Sequence, residues 1–334
     1  MSSSDSSANS LAASVIAGER SGLAAALNLL DDRRPASRQR AAQFLATLQS
    51  GNGSSRQSHL IGITGPPGAG KSSLTAALIS VWRDRELRVG VLAVDPSSPI
   101  SGGALLGDRL RMKTSAGDDG VFVRSLACRG EFGGLSAEVW PMSLVMLAAF
   151  DIVLVETVGV GQREIDVAGM CDTTCYVAQP GSGDSIQFLK AGILEVPHVL
   201  VVNKEDMGAV ARRTLSELGA ALGREHSEGD WQVPVLSASA TRGTGIEALA
   251  DALQAHQQKL LQGHNLQSRR QRYQSKWLLK RLLEEFGTHG LAQLGGETEI
   301  NNALSRGSLF EQYEALRNKL LEQSEIMNRG DKHA

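Results

Sequence analysis

The chain is poor in several things that would each point to a function. Only three of its 334 residues are cysteine, and aromatic residues make up 4%. Three cysteines, Cys128, Cys171 and Cys175, are too few and too odd in number for a disulfide framework. Cys171 and Cys175 stand four apart in a strand-like stretch, and no histidine or cysteine cluster completes a tetrahedral metal site around them. They read as buried thiols. Scarce aromatics argue against base-stacking platforms, and a net charge of −2 carries no electrostatic footprint for nucleic acid or an acidic membrane. Long apolar runs are missing too: SLVMLAAF (143–150) is far too short to span a bilayer. The opening MSSSDSSANS has neither the basic nor the apolar region of a secretory signal. These absences predict a cytoplasmic protein.

What is present is glycine, 36 residues of it against 9 prolines, and a regular alternation of patterns. Residues 1–10 read as disordered. Residues 11–50 carry apolar positions at helical spacing, broken at Asp31–Pro35, and predict a helical hairpin. GNGSS (51–55) reads as a linker. From 55 to 255, apolar runs alternate with helical segments: HLIGIT, VGVLAVD, VFVRSL, DIVLVET, TCYVAQ, HVLVVNK and VPVLSAS. Most are continuously apolar, as strands buried on both faces of a parallel sheet must be. The expected fold is α/β, a mainly parallel doubly wound sheet flanked by helices, with ligands at the strands' carboxyl ends. Residues 256–327 predict a helical extension, read as a dimerisation element, and 328–334 a disordered tail. Within the extension, Arg269, Arg270 and Arg272 read as the solvated face of a long helix.

Between the first strand and its helix lies GPPGAGKSS, residues 65–73. Gly65, Pro66, Pro67, Gly68, Ala69, Gly70, Lys71 and Ser72 have the spacing of a phosphate loop, and Ser73 follows in the helix. Its glycines let successive N–H groups face an anion, and the helix beginning near Lys71 adds its positive end. Lys71 is expected on the β- and γ-phosphates, and the Ser72 hydroxyl on Mg²⁺. After the strand HVLVV come Asn203, Lys204 and Asp206; a carboxylate there accepts both guanine donors, for which adenine has no equivalent. With Ser237 and Ala238 further on, the expected ligand is GTP or GDP.

Three carboxylates complete the expected site: Asp95, Asp108 and Glu156. Mg²⁺ takes few direct carboxylates, so Glu156 and Asp95 are assigned to it and Asp108 to a glycine-rich switch, SPISGGALLGD (98–108). Gly159 is expected to give its N–H to the γ-phosphate. Val160 stands where many GTPases have a water-orienting glutamine, with Gln162 two positions on, so hydrolysis by the chain alone is expected to be slow. Arg109, Arg111 and Arg163 are candidates to stabilise developing charge.

The chain resembles the MeaB/MMAA (ArgK) GTPases, chaperones of adenosylcobalamin-dependent acyl-CoA mutases. The resemblance rests on GPPGAGKSS, VDPSSPISGGALLGDRLRM (94–112), VETVGVGQRE (155–164), PGSGDSIQFLKAGILE (180–195) and VVNKED (201–206), and extends over nearly the whole chain. It implies that GTP hydrolysis gates cofactor loading into a mutase and helps eject damaged cofactor. It also implies a partner-responsive loop at 180–195, with Asp184 and Lys190 as its functional positions. Departures at 124–140 and in the 180–195 loop leave open whether the mutase acts on methylmalonyl-CoA, 2-hydroxyisobutyryl-CoA or isobutyryl-CoA. Two other readings of the motifs remain: a nickel-insertion GTPase, which needs cysteine or histidine ligands that this chain's seven histidines do not obviously cluster to supply, and a P-loop kinase, against which Asn203–Asp206 argues.

Overall fold

The computed structural model describes residues 3–32, 34–50, 57–95, 117–127, 138–157, 167, 169–181, 197–222, 227–228, 231–263, 265–304 and 308–330. They divide into two compact units. One comprises residues 57–139 and 150–267, and the other residues 1–56, 140–149 and 268–334.

The first unit is built on seven strands: β1 (His59–Thr64), β2 (Val89–Asp95), β3 (Val121–Ala127), β4 (Ile152–Thr157), β5 (Thr173–Ala178), β6 (Val199–Val202) and β9 (Val235–Ser237). They are ordered β3-β2-β4-β1-β5-β6-β9, and every pairing between neighbours is parallel. Between β6 and β9, a two-residue antiparallel pair joins β7 (Ser227–Glu228) to β8 (Trp231–Gln232). All six residues of β1, β4 and β5 are buried, which is why their sequences run apolar without alternation. Helix α4 (Lys71–Asp84) buries Leu74, Leu78, Ile79 and Trp82 in the core beneath the sheet. Helix α6 (Ala209–Leu222) covers β5 and β6 with Ala211, Leu218 and Leu222. Helix α7 (Ile246–Gln262) adds Leu249, Ala250 and Leu253 to the α4 core. The boundary expected at 255/256 therefore falls inside a helix of the sheet unit, and the division lies at 267/268.

The second unit draws on three stretches of chain. Residues expected to form a hairpin make three helices: α1 (Ser3–Ala17), α2 (Arg20–Asp31) and α3 (Pro35–Ser50). Helix α1 begins at Ser3, inside the stretch expected to be disordered: a helix nucleated by Leu11–Ile16 needs only local hydrogen bonds to propagate towards the amino terminus. Helix α5 (Val139–Ala149) is contributed almost whole from between β3 and β4. Helices α8 (Asn265–Gln293), kinked at Gly287 with φ 66°, α9 (Gly296–Leu304) and α10 (Leu309–Gly330) complete the unit. Arg269 is buried rather than solvated, whereas Arg272 is exposed. Trp140 of α5 meets Tyr273 of α8 edge-on at 6.2 Å, and Trp277 packs edge-on against Phe310 and Tyr313.

Glu285 joins the amino- and carboxyl-terminal helices. Its Oε2 accepts from the Tyr313 hydroxyl at 2.7 Å, and its Oε1 accepts from Arg317 Nε at 2.7 Å, with Arg38 of α3 at 3.6 Å. Burial raises the carboxyl's pKa, but the Tyr313 and Arg317 hydrogen bonds and the charges of Arg317 and Arg38 outweigh it, so the value lies below normal. The Tyr313 hydroxyl, buried and bonded to that carboxylate, is pushed up to about 12.

At the amino-terminal end of the sheet, three of the histidines that look scattered in the sequence come together. Thr173 Oγ1 lies 2.6 Å from His59 Nε2 and 2.7 Å from His256 Nδ1. The His256 ring stacks on His198 at 4.3 Å, and Trp231 closes over it edge-on at 4.9 Å. His198 Nδ1 accepts from Thr174 N–H at 2.9 Å, which leaves the neutral ring's proton on Nε2.

Two outcomes follow. Thr173→Val suits a buried strand position by propensity, yet it removes the hydroxyl shared by two imidazoles. We expect it to destabilise the protein by about 1–3 kcal/mol, because buried polar atoms lose their partner; a denaturation midpoint equal to or above wild type would refute this. Glu285→Gln lowers stability at pH 7. The depressed carboxylate contributes above its ordinary value and loses that contribution as pH falls through the lowered one, so the difference narrows once pH drops below the ordinary glutamate range and closes below the lowered value. Thermal melts of both proteins across pH check the sign.

Candidate functional site

The site is built at the carboxyl ends of β1, β4, β5 and β6, which their parallel register brings level. Ile63 of β1 pairs with Glu156 of β4 and with Cys175 of β5, and Val202 of β6 pairs with Ala178 of β5. The chain turns from β1 into α4 through residues 65–70. At Gly65 (φ 143°) a Cβ would lie 2.2 Å from the Val177 carbonyl oxygen, so only glycine permits this approach. Gly70 (φ 88°) is the amino-terminal cap of α4, and a Cβ there would meet Asn203 Nδ2 at 2.5 Å. The first N–H groups of α4 have no acceptor within the helix, and with the dipole they favour an anion at the loop.

Lys71 is buried and donates from Nζ to the carbonyl oxygens of Gly65 at 2.8 Å and Pro66 at 3.0 Å. The ammonium is thereby held against the loop where phosphate oxygens would lie. Ser72 Oγ donates to Glu156 Oε1 at 2.6 Å, and both side chains are buried. This pairs two hard oxygen donors from residues 84 apart, a donor set that fits a magnesium ion bound with phosphate. Asp95 ends β2, one residue beyond Val94, whose register partner is Thr157, so its backbone stands beside the carboxyl end of β4. Its side chain lies outside the described residues, as do Asp108, Gly159, Asp184 and Lys190, and with them Val160, Gln162, Arg109, Arg111 and Arg163.

The segment after β6 grips the phosphate loop. Asn203 Nδ2 donates to Ala69 O at 2.9 Å, and its Oδ1 accepts from Ala240 N–H at 3.3 Å. Lys204, with a left-handed φ of 60°, donates from Nζ to Gly68 O at 2.6 Å. Asp206 is exposed, and its Oδ1 accepts from Ser239 Oγ at 2.6 Å. That hydrogen bond is the main cause holding the Asp206 carboxyl below its ordinary pKa, with Arg242 and Lys204 adding to it. Asp206 is therefore an ionised, pre-aimed acceptor at neutral pH.

One expected pair is displaced. Ser237 is the last residue of β9, in register with Val202. Ala238 commits its N–H to Val202 O at 2.9 Å and its carbonyl to Glu205 N at 3.0 Å. The groups that meet Asp206 and Asn203 belong to Ser239 and Ala240, two residues on. The stretch SASA (237–240) holds two serine–alanine pairs, and only the end of β9 distinguishes them. Gln179 follows β5, and its Oε1 stands 3.3 Å from where a Cβ on Gly68 would be. Cys171 and Cys175 are fully buried and in no disulfide; burial pushes both thiols up, Cys175 to about 12, as inert core thiols require.

Comparison with known proteins gives the family. The model of the family described as methylmalonyl Co-A mutase-associated GTPase MeaB matches residues 23–292. A relative from Pyrococcus abyssi is 42% identical over 258 residues, 76% of each chain. GTPase ArgK of Escherichia coli is 37% identical over 278 residues, 81% of this chain and 82% of that protein. The mouse protein named methylmalonic aciduria type A homolog, mitochondrial, is 33% identical over 291 residues, 82% of this chain and 70% of its own length. A crystal structure titled LAO/AO transport system kinase superposes with a TM-score of 0.69 at 28% identity, over 97% of this chain and 98% of that one. With a family model matched from residue 23 to 292 and a phosphate loop joined to its Asn203–Asp206 segment, the chain belongs to the MeaB family of P-loop GTPases.

Proposed function

We propose that this GTPase binds GTP with Mg²⁺, hydrolyses it slowly by itself, and uses the cycle to gate adenosylcobalamin loading into an acyl-CoA mutase and to protect that enzyme. The observation that carries the reading is the Ser72–Glu156 hydrogen bond beside the Lys71 ammonium. It joins an Mg²⁺-type donor pair to a phosphate-binding cation at one helix start. Association with a mutase is supported by the family description and by the mouse relative's name.

The residues divide the work by chemistry. Lys71 exchanges its two loop carbonyls for β- and γ-phosphate oxygens. Ser72 and Glu156, with Asp95 nearby, hold the metal, which when bound neutralises charge on the phosphates. Asp206, aimed by Ser239, accepts from guanine N1–H and the exocyclic amine, while Asn203 and Lys204 keep the base-binding segment against the loop. In hydrolysis a water oxygen bonds to the γ-phosphorus as the bond from phosphorus to the β–γ bridging oxygen breaks. GDP and phosphate leave, and the water's proton passes to solvent or phosphate. Gly159 is proposed as the N–H donor to the γ-phosphate and Asp108 as a switch carboxylate. Asp184 and Lys190 are proposed to answer the mutase, and the carboxyl-terminal helices to pair two copies of the chain. A cytoplasmic location accords with these partners; no helix of the described residues is long and apolar enough to cross a membrane.

Phosphate release from GTP by the purified chain tests the proposal directly. The expected outcome is Mg²⁺-dependent turnover, accelerated severalfold or more by an adenosylcobalamin-dependent acyl-CoA mutase, and loss of tight triphosphate binding in Lys71→Ala. An unaltered rate with methylmalonyl-CoA, 2-hydroxyisobutyryl-CoA and isobutyryl-CoA mutases alike would overturn the chaperone reading. Asp206→Asn removes a charged acceptor and supplies an amide donor matched to the xanthine 2-oxo group. GTP affinity should fall roughly ten- to hundredfold, the equivalent of about 1.5–3 kcal/mol for a charged hydrogen bond. Preference should move towards XTP, which competitive titration with the two nucleotides reads.

A further inference from the structure

We propose that Gln179 is a positioning residue that braces the phosphate loop at Gly68 from the β5 side. The inference rests on the nucleotide reading above and extends it to a residue outside the recognised motifs. β5 runs beside β1 with Thr64 level with Tyr176, so the chain leaves β5 alongside the start of the phosphate loop. Gly65 already lies against Val177. Two residues later, half-buried Gln179 turns its amide towards the loop, and its Oε1 stands 3.3 Å from where a Cβ on Gly68 would be.

Gly68 is a demanding point in the loop. Its φ of 78° lies in the left-handed region, and its carbonyl accepts from Lys204 Nζ at 2.6 Å. That peptide is therefore held by a cation on its carbonyl from the β6 side, and the Gln179 side chain stands over the open side of Gly68, where a Cβ would project, from the β5 side. Residue 179 has a firm footing of its own. Two positions on, Gly181 N–H donates to Thr214 Oγ1 at 3.3 Å, and Gly181 packs against Val210. Both partners belong to α6, the helix that begins just after Asn203–Asp206. The link 179–181 thus spans from the phosphate loop to the helix behind the base-reading segment.

The sheet order decides what Gln179 does. β4, which carries Glu156, lies on one side of β1, and β5 lies on the other. Gln179 is on the side away from the Ser72–Glu156 pair, so it is no substitute for the water-orienting glutamine that Val160 replaces. Its contribution is to the loop conformation that both diphosphate and triphosphate require. It therefore enters as uniform binding, in KM and not in kcat.

Titration of fluorescent GDP and of a non-hydrolysable GTP analogue, with steady-state GTP hydrolysis alongside, tests this on the full chain. Wild-type binding is measured first. If wild type binds no guanine nucleotide, the functional reading fails and this inference falls with it. Gln179→Ala should weaken both nucleotides to the same extent, roughly five- to twentyfold, the equivalent of about 1–2 kcal/mol. It should raise KM in proportion and leave kcat and the GTP-to-XTP preference unchanged. Gln179→Met keeps the side chain's length and bulk without its amide, so it should fold and bind within about twofold of wild type. Gln179→Ala binding as wild type does, a fall in kcat at constant KM, loss confined to the triphosphate, or Gln179→Met binding fivefold or more weakly would each overturn the assignment with the nucleotide reading intact.

Discussion

The site depends on one hydrogen bond, from Asn203 Nδ2 to the Ala69 carbonyl at 2.9 Å, between residues 134 apart in sequence. It joins the loop that would hold phosphates to the segment that would hold a base. In a parallel sheet, the segments leaving neighbouring carboxyl ends are close but not otherwise fixed to one another. A buried amide donating to a loop carbonyl fixes them, and the Lys204 bond to Gly68 adds a second point one residue away on each segment. Distances between the phosphate-binding amides and Asp206 are then set before any ligand arrives. That is the condition for recognising a whole nucleotide rather than its parts, because less ordering is left for the binding step. The glycine at position 70 belongs to the same constraint, since a Cβ there would occupy the place of the Asn203 amide.

The parallel sheet sorts polar groups to its two ends for different purposes. At the carboxyl ends, Lys71, Ser72 and Glu156 are buried but bonded so that a phosphate and a cation could replace their present partners. At the amino end, His59, His198, His256 and Thr173 are bonded to one another and to backbone beneath Trp231. Exchangeable partners suit a ligand site, whereas a hydroxyl shared by two rings and sealed by an indole suits a fastening between α7 and the strands. Both clusters bury polar atoms at a cost that only hydrogen bonding offsets.

How far the sequence could be read follows from whether each determinant is local. The phosphate loop is legible because glycine spacing, lysine and serine lie within eight residues, between an apolar run and a helical one. The strand set is legible because burial on both faces leaves continuous apolar runs. The displaced serine–alanine pair is a different case. Whether Ser237 or Ser239 faces Asp206 depends on where β9 stops pairing with β6, a matter of backbone bonds between distant segments. The histidine cluster has the same character, for strand register brings residues 59, 173 and 198 together and residue 256 reaches them from α7. The first helix escaped for an opposite reason: a serine-rich stretch has no periodicity to detect, and it is carried into the helix by the apolar turns that follow it.

The helical unit shows what that locality rule implies for the architecture. Its members come from 1–56, 140–149 and 268–334, so the chain enters the unit, leaves for the first three strands, returns for α5, leaves again and returns to finish. A unit assembled in this way is no appendage that ends where the sheet begins. Trp140 of α5 needs Tyr273 of α8 for its edge-on contact, and Arg38 of α3 needs Glu285 of α8 for its charge partner. Each contact closes a loop of more than a hundred residues, and closure of a loop costs entropy that grows slowly with its length, so it costs less once the intervening chain is compact. A sequence reading that cuts such a chain into consecutive domains must miss α5, because the feature that assigns it is its partners and not its position.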